Sequence, residues 1–532
     1  MANRYLTPGL LLALFLMVLT PVLVVEMPPL LDYPNHLARL WLLEGGAKIP
    51  PLDAMYRPSW GGSLTNIGID LIACALRSVI PAFQLGRILI GAAVILPPLG
   101  AVALNYRAFG GFSPWQLIFP ALGWSLTLLA GFLNFQIGLG LALLAVAADG
   151  WISARGPWIS TAARAALGLA LIVIHPFALA FYAVLLAGMA FGRDTVDGAP
   201  LRDLLPRFLR GARAAAVCAA PPLLLLIVGC VLPREVSPPY LPAIRFNGLT
   251  GALKALASPF ASYNAEADLA IALLLVSVPV LGALLRRVSV HWGLLIAAFG
   301  LGLLALCMPS DTPQAGWMDR RLPLMALLTL VSALKVGFGS TRASAAALGA
   351  AAIALVALRT GWVGWNWLLA EPMTASTRAA LSVVPPGSAI LPVQIAPSQT
   401  ELQTLSGRFL DGDEDTYRHL PTLAIPWRHA FVPTLFAATV AQPIRTLPPW
   451  KEIAYPYGGG LAHIQGLTDP LALPLGSEYV LRWRERFDYV LVLNADAPWP
   501  AGYPLPPGLR LVADRGFARV YAIDRPTGEA GK

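Results

Sequence analysis

Through its first 367 residues the chain alternates long apolar runs with short polar breaks. Crossing a hydrocarbon core of roughly 30 Å takes about 20 helical residues. Runs near that length stand at 6–25, 86–105, 114–130, 133–149, 212–232, 267–285, 291–308, 322–338 and 345–367. The stretch 160–191 is longer and is broken at His175-Pro176, which predicts two short spans turning at that break. The first run follows one positive charge, lacks a small-residue cleavage site and closes on Glu26-Met27-Pro28-Pro29. It reads as an uncleaved first span rather than a signal peptide.

Segment 64–80 is apolar too, but Asp70 and Arg77 fall seven apart on one helical face, which suits a helix lying in the membrane interface. Let that segment stay on one side and the N-terminus be inside. Then Arg107, Arg155 with Arg164, the cluster Arg193/Arg202/Arg207/Arg210/Arg213, Arg286-Arg287 and Arg342 all fall in the cytoplasm, as the positive-inside rule requires. The expectation is about 11 spans, with outer loops at 26–85, 131–134, 175–176, 233–265 and 309–321 and everything after 368 outside. Trp362, Trp365 and Trp367 sit where an aromatic belt would mark the last exit.

After Glu371 the pattern changes to prolines, ordinary charge and short strand-like runs at 388–395, 487–495, 509–514 and 518–524. The expected fold is therefore an α-helical polytopic membrane protein, 1–370, with a long first outer loop at 26–85. A soluble mixed α/β domain, 371–532, follows on the outer face and is expected to fold when expressed alone.

Composition agrees with this pattern. The chain is 57% hydrophobic and 13% charged, about half the charge of a soluble globular protein, with a mean hydropathy of +0.65. A disordered chain is excluded, and so low a charge content argues against a purely soluble one. The net charge of +9 comes from arginines set between apolar runs, a topology signal rather than a nucleic-acid surface. All four cysteines lie in apolar segments, so 371–532 has no disulfide framework and no Cys-based metal site.

Candidate chemistry clusters in the expected outer loops. Asp32, in Asp32-Tyr33-Pro34-Asn35-His36-Leu37-Ala38-Arg39, follows the first span closely and is placed to cap a helix that Pro34 helps to start. His36 and Arg39 then share a face, with Arg39 in reach of lipid phosphates or of a ligand. Asn134 sits at an outer turn, in Gly131-Phe132-Leu133-Asn134-Phe135, and reads first as a turn residue. His175 is an ionisable group at a helix break within an apolar stretch. Asp319, Arg320 and Arg321 directly precede a span on the outer side, where two arginines run against the charge rule and suit a phosphate. Asp411, Asp413 and Asp415 alternate like the start of a calcium loop, but the pattern then fails and reads as a solvated acidic turn.

Together the acidic residue after the first span, the long first loop, GFLNF, the His-Pro break, DRRLPLM and the C-terminal outer domain resemble the GT-C superfamily of integral-membrane glycosyltransferases, in particular bacterial members of the mannosyltransferase and aminoarabinose-transferase groups. The resemblance implies transfer of a sugar, with inversion, from a polyprenyl-phosphate donor to a lipid, glycan or protein acceptor at the outer face of the bacterial cytoplasmic membrane. It implies Asp32 as the general base, Arg320 or Arg321 on the departing phosphate, and His36, Arg39, Asn134, His175 and Asp319 lining the site. No cofactor is implied, and a divalent metal is poorly supported because Asp32 has no adjacent second acid. Membrane lipids are expected partners and nucleic acid is not. The competing class is a transporter or an assembly subunit of an envelope-polysaccharide system.

Overall fold

A computed structural model describes residues 6–192, 201–231, 243–313, 315–337, 342–411, 413–439, 441–473 and 477–524. Arg193 and the 233–242 part of the expected outer loop lie outside the described residues. Thirteen helices carry the argument: α1 (Leu6–Val18), α2 (Tyr33–Glu44), α3 (Gly68–Leu76), α4 (Ala82–Phe109), α5 (Leu133–Ser153), α6 (Pro157–Ile174), α7 (Pro176–Phe191), α8 (Leu201–Val231), α9 (Gly248–Leu256), α10 (Ala265–Leu284), α11 (Trp292–Cys307), α12 (Leu322–Ala333) and α13 (Arg342–Leu381). Among the described residues six of these, α4, α5, α6, α8, α10 and α13, are long and apolar enough to cross a membrane. Four shorter apolar helices, α1, α7, α11 and α12, stand with them.

These ten helices fall on ten of the expected segments. The other, 114–130, is not an α-helix. Pro114–Gly123 winds as a 3-10 helix behind a Ser113/Gln116 capping box, and one α-turn, Leu126–Leu129, follows on a Ser125 cap. Pro114 and Pro120 remove backbone donors, while the capping side chains supply local partners, so the tighter turn competes successfully here. The segment is buried against α1, α4 and α13. Between α6 and α7 the break falls where expected. His175 is extended (φ −165°, ψ 136°), Pro176 starts α7, and the His175 Nδ1 accepts a hydrogen bond from Phe177 N–H at 3.1 Å.

Segment 64–80 holds only the nine-residue α3, about 14 Å long, too short to cross. Its charges do not share an interfacial face. Asp70 is buried and Arg77 is exposed. The tryptophans divide too. Trp365 is exposed, but Trp367 is buried with its Nε1 donating to Tyr263 Oη at 2.9 Å, and Trp362 Nε1 donates to Ser262 Oγ at 3.1 Å. Only Trp365 fits an aromatic belt.

Arg107 and Arg164 mark one end of the bundle. Arg164 forms a two-pronged bond with Asp149 at the C-terminal end of α5, and Arg107 at the end of α4 lies against Gly150. At the other end of α5, Asn134 meets α3, and Gly131 lies against Asp32. The segments 26–85, 131–134, 175–176 and 315–321 therefore gather at one end of the bundle, away from Arg107 and Arg164.

Strand β1 (Tyr56–Pro58) belongs to the first loop; β2 (Ile390–Gln394), β3 (Ile444–Thr446), β4 (Ala462–His463), β5 (Tyr489–Leu493), β6 (Leu509–Asp514) and β7 (Ala518–Ile523) follow α13. All four expected strand runs appear, as β2, β5, β6 and β7, in one five-stranded mixed sheet of order β6-β7-β5-β2-β4. Consecutive residues of β2 and β5 are buried because the sheet is covered on both faces. The 370/371 division falls inside α13, which runs on to Leu381. β1 pairs antiparallel with β3, and α2 is sandwiched between α4 below and the turn at 420–423 above. Ten of the twelve α2 residues are consequently buried.

Candidate active site

Asp32 occupies the N-cap position of α2, yet its side chain makes no capping bond. Its backbone is in the helical region (φ −84°, ψ −11°), which turns the carboxylate away from the free N–H groups of the first turn. Asp32 N–H donates instead to Ala130 O at 3.1 Å. Gly131 allows this approach. It has φ +89°, and a Cβ there would lie 2.9 Å from Asp32 Cβ. The GFLNF motif is thus the backing plate of Asp32.

The carboxylate faces a cavity of about 210 Å³ whose walls include Phe132, Trp317, Arg321, Arg418, His419, Phe436, Gln442 and Tyr457. A smaller cavity of about 130 Å³ adjoins it, sharing Asp32, Phe132, Arg321, Phe436 and Gln442 and adding His36, Asn134 and His175. Asp32 and Arg321 therefore stand where the two meet. The Asp32 Oδ1 lies 3.4 Å from His419 Nε2.

Arg321 is buried, its guanidinium 4.8 Å from the Phe132 ring centre and 5.5 Å from that of Phe177. Burial lowers its pKa to about 10, while Asp32 and Asp319 hold it up. Arg418 bonds Glu414 through Nη2 at 2.7 Å. Around the two cavities the Nε of Arg321, the Nε of Arg418, Oε1 of Gln442 and Nδ1 of His36 are buried with no hydrogen-bond partner. Buried polar atoms without partners cost free energy, which a bound water, ion or ligand group would offset. His36 packs at 5.6 Å on Phe436, and burial, then Arg39, lowers its pKa to about 3.

Other residues singled out in the sequence have different employment. Arg39 reaches neither lipid nor cavity. Its Nε donates to Asp70 Oδ1 at 2.7 Å and its Nη2 to Oδ2 at 3.1 Å, both side chains fully enclosed. Asn134 accepts from Ile69 N–H at 2.9 Å and donates to Asn66 O at 2.7 Å, so its amide is spent holding α3 against α5. Arg320 turns away from Arg321. It lies over the Trp317 ring at 4.1 Å, sits 3.3 Å from Asp411 Oδ2 and, with Asp319, Asn247 and Lys254, lines a separate cavity of about 790 Å³. Asp319 is buried and accepts from Asn247 Nδ2 at 3.4 Å, and burial raises its pKa. The acidic turn is not simply solvated. Asp411 clamps Arg320, Glu414 holds Arg418, and Asp415 is buried on Gln394 Nε2 at 3.1 Å. Among the described residues no cluster of three or more His, Cys, Asp or Glu is able to hold a metal ion.

Asn35, Arg418, His419 and Gln442 were not foreseen. Asn35 lies inside the quoted DYPNHLAR motif, but the other three come from the region after α13 and share no local motif with it. The one available signal was Arg418-His419 directly behind the acidic run at 411–415. Gly458 (φ +86°) in the turn-rich YPYGGG segment supports the same wall, since a Cβ there would come 2.8 Å from His419 Cε1.

No family model matches the chain, and no curated protein matches it. Among solved structures it is similar to ArnT from Cupriavidus metallidurans in the apo state, at 11% sequence identity and a TM-score of 0.45, over 98% of this chain and 99% of that one.

Proposed function

We propose that this chain is a membrane glycosyltransferase that moves a sugar from a polyprenyl-phosphate donor to a hydroxyl acceptor at the outer face of the bacterial cytoplasmic membrane. Asp32 is the general base. It takes the proton of the acceptor hydroxyl, the acceptor oxygen bonds to the anomeric carbon from the side opposite the phosphate, and the C–O bond to phosphate breaks with inversion. The electron pair leaves with the polyprenyl phosphate, whose charge Arg321 and Arg418 neutralise. His36 and His175 wall the smaller cavity.

The observation that carries this reading is the carboxylate of Asp32, turned away from the helix end it was placed to cap and into a cavity it shares with two guanidinium groups. A base and two cations that bracket one enclosed space match the demands of displacing a phosphate. The unpartnered Arg321 and Arg418 nitrogens support it further. Purified protein assayed with a panel of labelled polyprenyl-phosphate sugars tests the reading. Asp32→Asn keeps size and removes basicity, so turnover should fall by about 10²–10⁴-fold with donor binding nearly unchanged. A fully active Asp32→Asn enzyme would remove Asp32 from the chemistry.

A further inference from the structure

The Asn35 side chain is held by two backbone groups whose roles admit no ambiguity. Phe436 N–H can only donate, and it meets Asn35 Oδ1 at 2.6 Å. Thr434 O can only accept, and it meets Asn35 Nδ2 at 2.8 Å. The amide is therefore fixed with its NH₂ group towards His419, whose Nδ1 lies 3.3 Å from Nδ2. An NH₂ group has no lone pair to offer, so His419 Nδ1 must be the acceptor. In a neutral imidazole the proton then sits on Nε2, and Nε2 is the atom 3.4 Å from Asp32 Oδ1. Neutrality is what burial favours: His419 is 3% exposed, and burial pushes its pKa below the ordinary imidazole range despite the opposing pull of Asp32. The ring is further held edge-on by Phe436 at 4.9 Å.

We propose that Asn35 and His419 form a positioning relay for Asp32: the amide fixes the imidazole tautomer, and the Nε2–H so presented holds one carboxylate oxygen while the other stays free to take the acceptor's proton. This rests on Asp32 being the general base. Asp32 and Asn35 stand three residues apart at the start of one helix, so α2 carries both the base and the group that sets the orientation of its partner. The relay closes only when the region after α13 is seated on α2, which ties catalytic competence to that docking.

His419→Phe keeps the ring on Phe436 and removes the N–H; His419→Gln keeps an amide N–H near the Nε2 position. Transfer kinetics should show kcat reduced about 10–100-fold in His419→Phe, the usual scale for losing an orienting partner, with the donor KM unchanged. The acidic limb of its pH–kcat profile should move to higher pH, because the carboxylate form has lost a donor that favours it. His419→Gln should recover most of the kcat. A merely structural histidine would lower thermal stability in both variants and leave the acidic limb in place. If Asp32→Asn is inert while His419→Phe keeps wild-type kcat and acidic limb, the relay falls and the base stands. If Asp32→Asn is fully active, the base falls first. A readout independent of turnover is the ¹⁵N spectrum of histidine-labelled full-length protein near pH 8, with His419 assigned by its loss in His419→Gln. Nδ1 should be unprotonated and Nε2 protonated; a protonated Nδ1 overturns the relay outright.

Discussion

Arg320 and Arg321 are neighbours in the chain and part company in space, and that separation makes the phosphate assignment testable. Arg321→Ala removes a cation that lines the Asp32 cavity, and losing one charge-assisted contact costs about 1.5–3 kcal/mol. Donor affinity should fall by roughly 10–150-fold, read by equilibrium binding of a labelled polyprenyl-phosphate sugar. Arg320→Ala, which frees Asp411 at the other cavity, should leave that affinity within about threefold of wild type, less than 0.7 kcal/mol. Equal losses would show that the two guanidiniums act at one anion. A second prediction at this scale concerns acid. His36 has its pKa lowered to about 3 by burial and His419 is lowered by the same cause, so the folded state resists binding protons that the unfolded state accepts near 6.5. The stability this represents is whole above pH 6.5 and is lost as pH falls from there towards the folded values, at up to about 1.4 kcal/mol per pH unit for each group. Thermal midpoints in detergent should drop between pH 7.5 and pH 5, and His36→Gln should flatten the drop; an unchanged slope would count against a neutral buried His36.

At the scale of elements, what the sequence revealed was what local pattern determines. The four short strand-like runs became strands, and the His175-Pro176 break became a helix break, because proline and extended geometry act within two or three residues. Hydrophobicity alone could not distinguish an α-helix from the 3-10 turn of Pro114–Gly123, since both bury the same side chains. Nor could it reveal partners far along the chain. Asp32 was visible because it begins a helix after the first span, but His419 is 384 positions from Asn35, its contact, with no intervening motif. Arg39 was misread for the same reason: its partner Asp70, 31 residues on, lies in a separate helix. That pair pins α2 to α3. Arg39→Met leaves Asp70 buried and uncompensated, which typically costs about 3–5 kcal/mol, whereas replacing both members with apolar residues is often near neutral. Unfolding of detergent-solubilised variants should therefore rank Arg39→Met well below wild type and the Arg39→Met/Asp70→Leu double variant close to it. A double variant as unstable as the single one would mean that the pair acts through more than its own charges.

Over the whole molecule, the first loop and the region after α13 close on each other to form the cavity, with Phe132, Trp317 and Arg321 completing its walls. From the loop come Asp32 and His36, and from beyond α13 come Arg418, His419, Phe436 and Gln442, while Asn35 reaches this set through His419. The two are laced together by β1 on β3, by Asn35 on Thr434 O and Phe436 N, by Tyr56 stacked at 6.1 Å on Phe431, and by Trp41 stacked at 5.7 Å on His429. The expectation that 371–532 folds alone thus becomes a question of how much stability the loop supplies. The two Asn35 hydrogen bonds are worth roughly 1 kcal/mol each, and the two ring pairs roughly 0.5–1.5 kcal/mol each beyond their buried area. Their sum is roughly 3–5 kcal/mol, before the β1–β3 ladder is counted. For a fragment of this size 1 kcal/mol corresponds to about 2–4 °C in Tm. A soluble fragment of 371–532 should therefore melt at least about 5 °C below the same fragment carrying 26–60 on a flexible linker, and the Asn35→Leu version of the linked fragment should lose part of that gain. Matching midpoints for the linked and unlinked fragments would make the loop a passive cover and leave the C-terminal region self-sufficient. A gain that Asn35→Leu reduces would instead make the loop a structural member of that region, so that Asp32 and His419 are brought together by the same step that completes the C-terminal fold.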